Sequence, residues 1–264
     1  MVLVIIGLIV GGVLVGQTLV KGAEVRATVS QIEKYNQAVN AFQGKYNCLP
    51  GDCSNATNFF GTFAVLPTNS QNGDGNGMIL DSHQNAANMY PFDTANEVIV
   101  VFSHLFLAGL TDCCNPANLS PVFYGGAPGP AGAAWPATKA GQGGFVAVNI
   151  ESRNGWFLGM GNAVPASACG GGNNNDHMNL QAGGKCINSG GLLTPQQAWA
   201  FDTKVDDGLP TTGNVVVAWV YGGDNHVHPV TIYWAGFNCI ANTTPPSYNV
   251  SYGSPVCNLF ARWQ

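Results

Sequence analysis

The chain has 264 residues, of which 46% are hydrophobic and only 9% are Asp, Glu, Lys or Arg, against roughly 25% in an ordinary soluble domain. That is enough apolar material to fill a core, under a surface that is polar but nearly uncharged and in which Gly alone supplies 35 residues. A formal charge of −5 without any Lys/Arg cluster excludes a phosphate-tracking nucleic-acid surface.

Residues Met1 to Val20 carry no charged side chain. A helix of that length, at about 1.5 Å per residue, is roughly 30 Å long and spans the hydrocarbon core of a bilayer. A secretory signal peptide is the rival reading, but it needs a basic region before the apolar run and a small-residue cleavage site after it. The run passes instead, without a turn signal, into Lys21-Gly-Ala-Glu-Val-Arg and a second helical pattern. The expectation is one continuous helix ending near Tyr46-Asn47, because Leu49-Pro50-Gly51-Asp52 is turn chemistry and the residue before a proline avoids helical dihedrals.

In the second part Val25, Thr28, Ile32, Tyr35, Val39, Phe42 and Tyr46 fall at steps of three and four, with Arg26, Ser30, Glu33 and Gln37 on the opposite face. That apolar stripe needs a partner, and the rest of the chain is expected to supply a sheet-containing domain. The organisation read from this is a long helix over 1–47, apolar over 1–20 and amphipathic over 21–47, followed by a globular α+β domain over 48–264. Gly7, Gly11, Gly12 and Gly16 give two G-x-x-x-G spacings, which let apolar helices approach closely. With Leu3, Ile6, Ile9 and Val13 they form the candidate assembly surface; a plain single-span anchor is the alternative. Four glycines also cost roughly 1 kcal/mol each relative to alanine, which makes this the weakest stretch of the helix.

Beyond residue 50, Asn72-Gly-Asp74-Gly-Asn76-Gly-Met78 resembles the start of a calcium loop in which alternate side-chain oxygens converge. Asn72, Asp74 and Asn76 would ligate through side chains, Met78 through its carbonyl, and Asp81 with a carboxylate. A metal-free Gly/Asn turn stands beside that reading, since the first position is Asn and the twelfth is His83. Glu97 to Leu110 reads as a short amphipathic helix, and Gly125 to Gly144 as an exposed Gly/Ala/Pro-rich loop. Phe145 to Ile150, Trp156 to Met160, Val215 to Tyr221 and Val230 to Ala235 read as strands. The predicted fold is thus α+β, a long helix packed on an antiparallel sheet.

The eight cysteines, Cys48, Cys53, Cys113, Cys114, Cys169, Cys186, Cys239 and Cys257, favour disulfides in an oxidising compartment, because their spacings offer no pair of C-x-x-C hooks for zinc. Spacing favours Cys48 with Cys53, Cys169 with Cys186, and Cys239 with Cys257. Cys113 and Cys114 are then left to pair with each other, or in a crossed pattern with distant partners. His226 and His228 lack companions at ligand spacing, and Asp206-Asp207-Gly208 reads as a turn. No nucleophile elbow, phosphate loop or zinc-protease motif occurs, so no catalytic residue is assigned.

Met1-Val-Leu-Val-Ile-Ile-Gly-Leu-Ile-Val-Gly-Gly-Val-Leu-Val-Gly resembles the N-terminal helix of type IV pilins and type II secretion pseudopilins. Ala23-Glu-Val-Arg-Ala-Thr-Val-Ser-Gln-Ile-Glu-Lys-Tyr-Asn, Phe42, Lys45-Tyr46, Leu49-Pro50-Gly51-Asp52 and Asn58-Phe59-Phe60-Gly61 are similar to a pilin-like subgroup with a large C-terminal domain. So are the Asn72 to Gly77 loop and Asp202-Thr-Lys-Val-Asp-Asp-Gly. The resemblance implies a homopolymeric filament that reaches the cell exterior by way of the inner membrane, with a prepilin peptidase and an assembly ATPase as partners. Mature chains of that family begin with a methylated aromatic residue and carry a membrane-embedded glutamate soon after. Aligning Gly7 with the family's helix glycine puts that glutamate just before Met1, so the expectation is a native product that extends upstream. Three function classes follow: a filament subunit, a minor pseudopilin of a secretion machine, and a membrane-anchored binding or hydrolytic domain.

Overall fold

The computed structural model describes residues 2–62, 71–79, 97–116, 135–140, 143–150, 152–160, 163–165, 185–187, 191–220, 227–229 and 238–263. Helix α1 (Val2–Tyr46) is unbroken, its glycines included, and 45 residues at about 1.5 Å each make it roughly 68 Å long. Its second half buries Val25, Thr28, Ile32, Tyr35, Val39 and Phe42, as the three-and-four spacing requires, and leaves Arg26, Ser30, Glu33 and Gln37 exposed. Asn47 then takes a left-handed φ of 55°, and its N–H donates to the Gln43 carbonyl at 2.9 Å. Asn tolerates that conformation better than most residues, and Pro50 cannot continue the helix, so the chain leaves α1 here.

The remaining elements are α2 (Ala56–Phe60), α3 (Glu97–Leu107), β1 (Gly144–Ile150), β2 (Arg153–Met160), β3 (Ala163–Pro165), β4 (Lys185–Ile187), α4 (Pro195–Val205), β5 (Val215–Val220), β6 (Val227–Pro229), β7 (Ile240–Ala241), β8 (Ser247–Tyr248) and β9 (Leu259–Arg262). The main sheet has the order β1-β2-β9-β5-β6, with every neighbouring pair antiparallel. This is the expected α+β arrangement. Helix α3 stops at Leu107 rather than Leu110 because Gly109, at φ 72°, turns the chain so that the Leu110 N–H donates back to the Leu105 carbonyl. The strand expected over Val230–Ala235 and most of the loop read over Gly125–Gly144 lie outside the described residues.

Of the elements that the sequence reading did not name, α4 and β9 bear most on the fold. Helix α4 opens with a capping box: Thr194 Oγ1 accepts from the Gln197 N–H, Gln197 Oε1 accepts from the Thr194 N–H, and Pro195 follows the cap. Strand β9 lies at the centre of the sheet, between β2 and β5, and its Leu259, Phe260 and Ala261 are all buried. Consecutive strand residues point to opposite faces, so this sheet is covered on both sides, and β9 shows a short apolar run rather than an alternation.

Helix α1 is fastened to the domain by polar contacts at three levels. The Ala140 N–H donates to Thr28 Oγ1 at 2.9 Å, Gln31 Nε2 to the Ala137 carbonyl at 2.8 Å, and Trp156 Nε1 to Asn36 Oδ1 at 2.7 Å. Tyr35 meets the rings of Phe102 and Trp156 edge-on at 5.5 and 5.8 Å, which joins α1, α3 and β2 in one apolar seam.

Candidate functional site

The two halves of α1 differ in kind. In the first, Ile6, Ile9 and Val13 are exposed together with every other large aliphatic described between Val2 and Val20. By length and composition the helix can cross a membrane. Gly7, Gly11, Gly12 and Gly16 share this stretch, and a Cβ added at any of them would meet nothing within 4 Å. Nothing within the described chain therefore requires glycine there, although each one weakens the helix by roughly 1 kcal/mol.

At the other end of α1 the turn Leu49-Pro50-Gly51-Asp52 organises a polar knot. Gly51 sits at φ 94°, so close to α3 that a Cβ would lie 2.6 Å from Val101 Cγ2 and 2.8 Å from the Glu97 carbonyl. Its N–H donates to His104 Nδ1 at 2.9 Å; His104 Nε2 therefore carries the proton and donates to the Gln71 carbonyl at 2.9 Å. The neutral ring is fully buried, stacked on Phe42 and Phe60 at 6.0 and 5.6 Å. Burial lowers its pKa to about 4, against the opposing effect of the Gln71 carbonyl.

Asp52 is buried beside this knot, and its two oxygens accept the Gly75 and Gly77 N–H groups at 2.7 and 2.9 Å. The Asp74 N–H donates to Glu97 Oε1 at 3.0 Å. Oxygens of Asp52, Asp74 and Glu97 consequently lie within 4.8 Å of one another. Burial raises the Asp52 carboxyl above its ordinary range despite its two amide hydrogen bonds, and Asp74 adds to the rise.

The residues read as a calcium loop are arranged differently from a converging cage. Asn72 Oδ1 accepts from the Thr57 N–H, Asp74 Oδ1 from the Asn76 N–H, and Asn76 Oδ1 from the Met78 N–H, at 2.9, 2.9 and 2.7 Å. These side chains brace the loop, while Asn154 ties it to β2 by donating to the Gly77 carbonyl and accepting from the Ile79 N–H. Asp81 lies outside the described residues. The hard oxygen donors that suit Ca²⁺ here are Asp52, Asp74 and Glu97. Sequence spacing did not connect Asp52 and Glu97 with Asp74, because they reach it from separate segments.

A second acidic group closes α4. Asp202 is fully buried; its Oδ2 accepts from the Tyr248 hydroxyl at 2.8 Å and its Oδ1 from the Gly208 N–H at 3.2 Å. Asp206 Oδ2 accepts from the Val215 N–H at 3.1 Å and from Asn214, while Asp207 holds Leu209 and Thr212. All three carboxylates offer oxygens within 4.8 Å. Burial raises Asp202 to about 7, its hydrogen bonds to Tyr248 and Gly208 oppose that, and Asp207 and Asp206 add to it. The turn expected at Asp206-Asp207-Gly208 is present, with Gly208 at φ 75°. His228 stands in β6 opposite Trp219, and His226 lies outside the described residues.

Disulfides join Cys48 to Cys53, Cys113 to Cys114 and Cys239 to Cys257, leaving no free thiol among the described residues. The adjacent pair is joined to itself, so the crossed alternative is not the one adopted. Cys186 belongs to β4, and Cys169 lies outside the described residues. A bridge that closes a loop is worth roughly 2 to 5 kcal/mol, most for Cys239–Cys257 with its separation of 18 residues and least for the adjacent pair. Reduction is expected to lower the urea midpoint sharply, and thiol labelling of the unreduced, denatured chain to find almost no reactive cysteine.

Comparison with known protein families, with characterised proteins and with solved structures finds no match for this chain.

Proposed function

We propose that the chain is a structural subunit that polymerises through the apolar half of α1 into an extracellular filament of the type IV pilin kind. The layout fits: an N-terminal apolar helix, an antiparallel sheet and disulfides suited to an oxidising exterior. One observation carries the reading. An apolar half-helix stands largely uncovered, and at its four glycines an added Cβ would meet nothing within 4 Å among the described residues. Close approach of identical helices gives both features a purpose, since small residues let backbones meet and the aliphatic residues between them leave water.

On this reading the role is mechanical rather than catalytic. The helix rests in the inner membrane before assembly, and a prepilin peptidase and an assembly ATPase act on the chain in trans. Electron microscopy of material sheared from the native host, with antibody against the domain, is expected to label filaments along their length. Labelling at filament bases alone would favour a minor pseudopilin. A chain confined to the membrane fraction, with no labelled filament, would make α1 a plain anchor.

A further inference from the structure

The apolar helix does not leave the domain cleanly. Between α1 and the domain lies an open cleft of about 760 Å³. Val13 and Val20, with Gln17 between them, form one wall, and Leu192 and Pro255, beside Thr194 and Gln197, the other; the surface they present is mainly apolar. Lys21 and Lys139 enter it from the two sides, and Glu24 is the one acid among its lining residues. The only ion pair among the described residues joins Lys34 to Asp112, so neither cleft lysine is neutralised by one. From Val13 to Glu24 the cleft follows the helix for roughly 16 Å, and Lys21, the first charged residue of the chain, stands near its far end.

With the apolar half of α1 in a bilayer, Lys21 marks the headgroup level and the apolar walls lie at the acyl boundary. We infer that the cleft seats one anionic phospholipid, its phosphate between Lys21 and Lys139 and its acyl chains along Val13 to Val20. Charge complementarity selects this occupant. The cleft has a surplus of one positive charge, and a phosphate neutralises it. The apolar helix of a second copy carries no charged side chain over its first twenty residues and would leave both ammonium groups against hydrocarbon, which is costly. The inference rests on the membrane stage of the proposed function. It adds that the subunit leaves the bilayer by giving up a particular lipid.

The test uses the full chain in vesicles of phosphatidylcholine, with and without phosphatidylglycerol, and measures the relative association of spin-labelled forms of the two lipids. Phosphatidylglycerol is expected to be preferred, the preference falling about fivefold with Lys139→Gln and again with Lys21→Gln. Both side chains are exposed, so neither substitution disturbs the core. Equal association of the two lipids, or a preference that survives in the double variant, overturns the inference while leaving the membrane reading intact. A chain that enters neither kind of vesicle overturns both. A photo-crosslinking residue in place of the exposed Pro255 is expected to give a phospholipid adduct, and a chain-to-chain adduct in its stead overturns the lipid assignment.

Discussion

Ile9→Asp is expected to abolish filaments while leaving the domain folded. Ile9 is 59% exposed in the single chain, so the substitution removes no contact that the domain uses. In a bundle of apolar helices the same carboxylate loses its water without gaining a partner. A charged side chain at the centre of an apolar helix costs about 3 kcal/mol on the mildest scale, a factor of roughly a hundred for every subunit added. Polymerisation multiplies that cost along the fibre. Ile9→Ala, which removes bulk without adding charge, is expected to retain filaments. Deleting residues 1–22 removes the uncovered half but none of the buried stripe, which begins at Val25. The product is expected to be a soluble monomer with an unchanged thermal midpoint, read by size exclusion and circular dichroism. Fibres of normal diameter from the Asp variant would place the polymer contacts elsewhere.

The second large effect concerns pH, where two buried groups act in opposite directions. His104 has its folded pKa lowered from 6.5 to about 4. Its contribution to stability is fully present above 6.5 and is lost as pH falls toward 4, because the unfolded chain then binds the proton and the folded one does not. Asp202 has its folded pKa raised from 3.8 to about 7. Its contribution is present below 3.8 and is lost as pH rises toward 7. Over the shared window the two slopes offset each other, and wild-type stability is expected to vary little. Asp202→Asn keeps an acceptor for the Gly208 N–H and a polar partner for the Tyr248 hydroxyl, yet carries no proton to lose. The variant is expected to gain about 2 kcal/mol near pH 7, after screening beside exposed Asp207 is allowed for. Its stability should fall more steeply than the wild type's below about pH 6, where of the two opposing carboxyls only Asp52 is left against His104. Urea titrations across that range check both halves, and an unaltered profile would show that Asp202 is not the opposing group.

The stripe on α1 was legible because a helix on a domain repeats every three or four residues, and Val25 through Phe42 keep that step without interruption. The end of α1 was legible for a local reason too, since Pro50 cannot continue a helix and bars helical dihedrals at the residue before it. Helix α4 left a readable signature in Thr194, Pro195 and Gln197, but Phe201 and Val205 are the only large aliphatic or aromatic residues on its buried or half-buried positions. Ala198 and Asp202 complete that face, so the periodic signal was faint. Strand β9 could not be read from alternation, because burial on both faces erases it. The polar knot lay furthest from reach. The alternation of Asn72, Asp74 and Asn76 is shared by metal loops and by turns in which each side chain caps a backbone amide two residues on. Only the folded chain brings Asp52 and Glu97 to Asp74, by way of Gly51 packed on α3.

The central place of β9 also sets an order of events during folding. Strands β1 and β2 form a hairpin from neighbouring residues, and β5 pairs with β6 just as locally, but among the described residues β9 alone hydrogen-bonds one hairpin to the other. Until residue 262 is available to pair, the sheet is two hairpins with open edges, and non-local pairing of this kind is slow and prone to aggregation. The Cys239–Cys257 bridge, ending two residues before β9, shortens the search of the last strand for its slot.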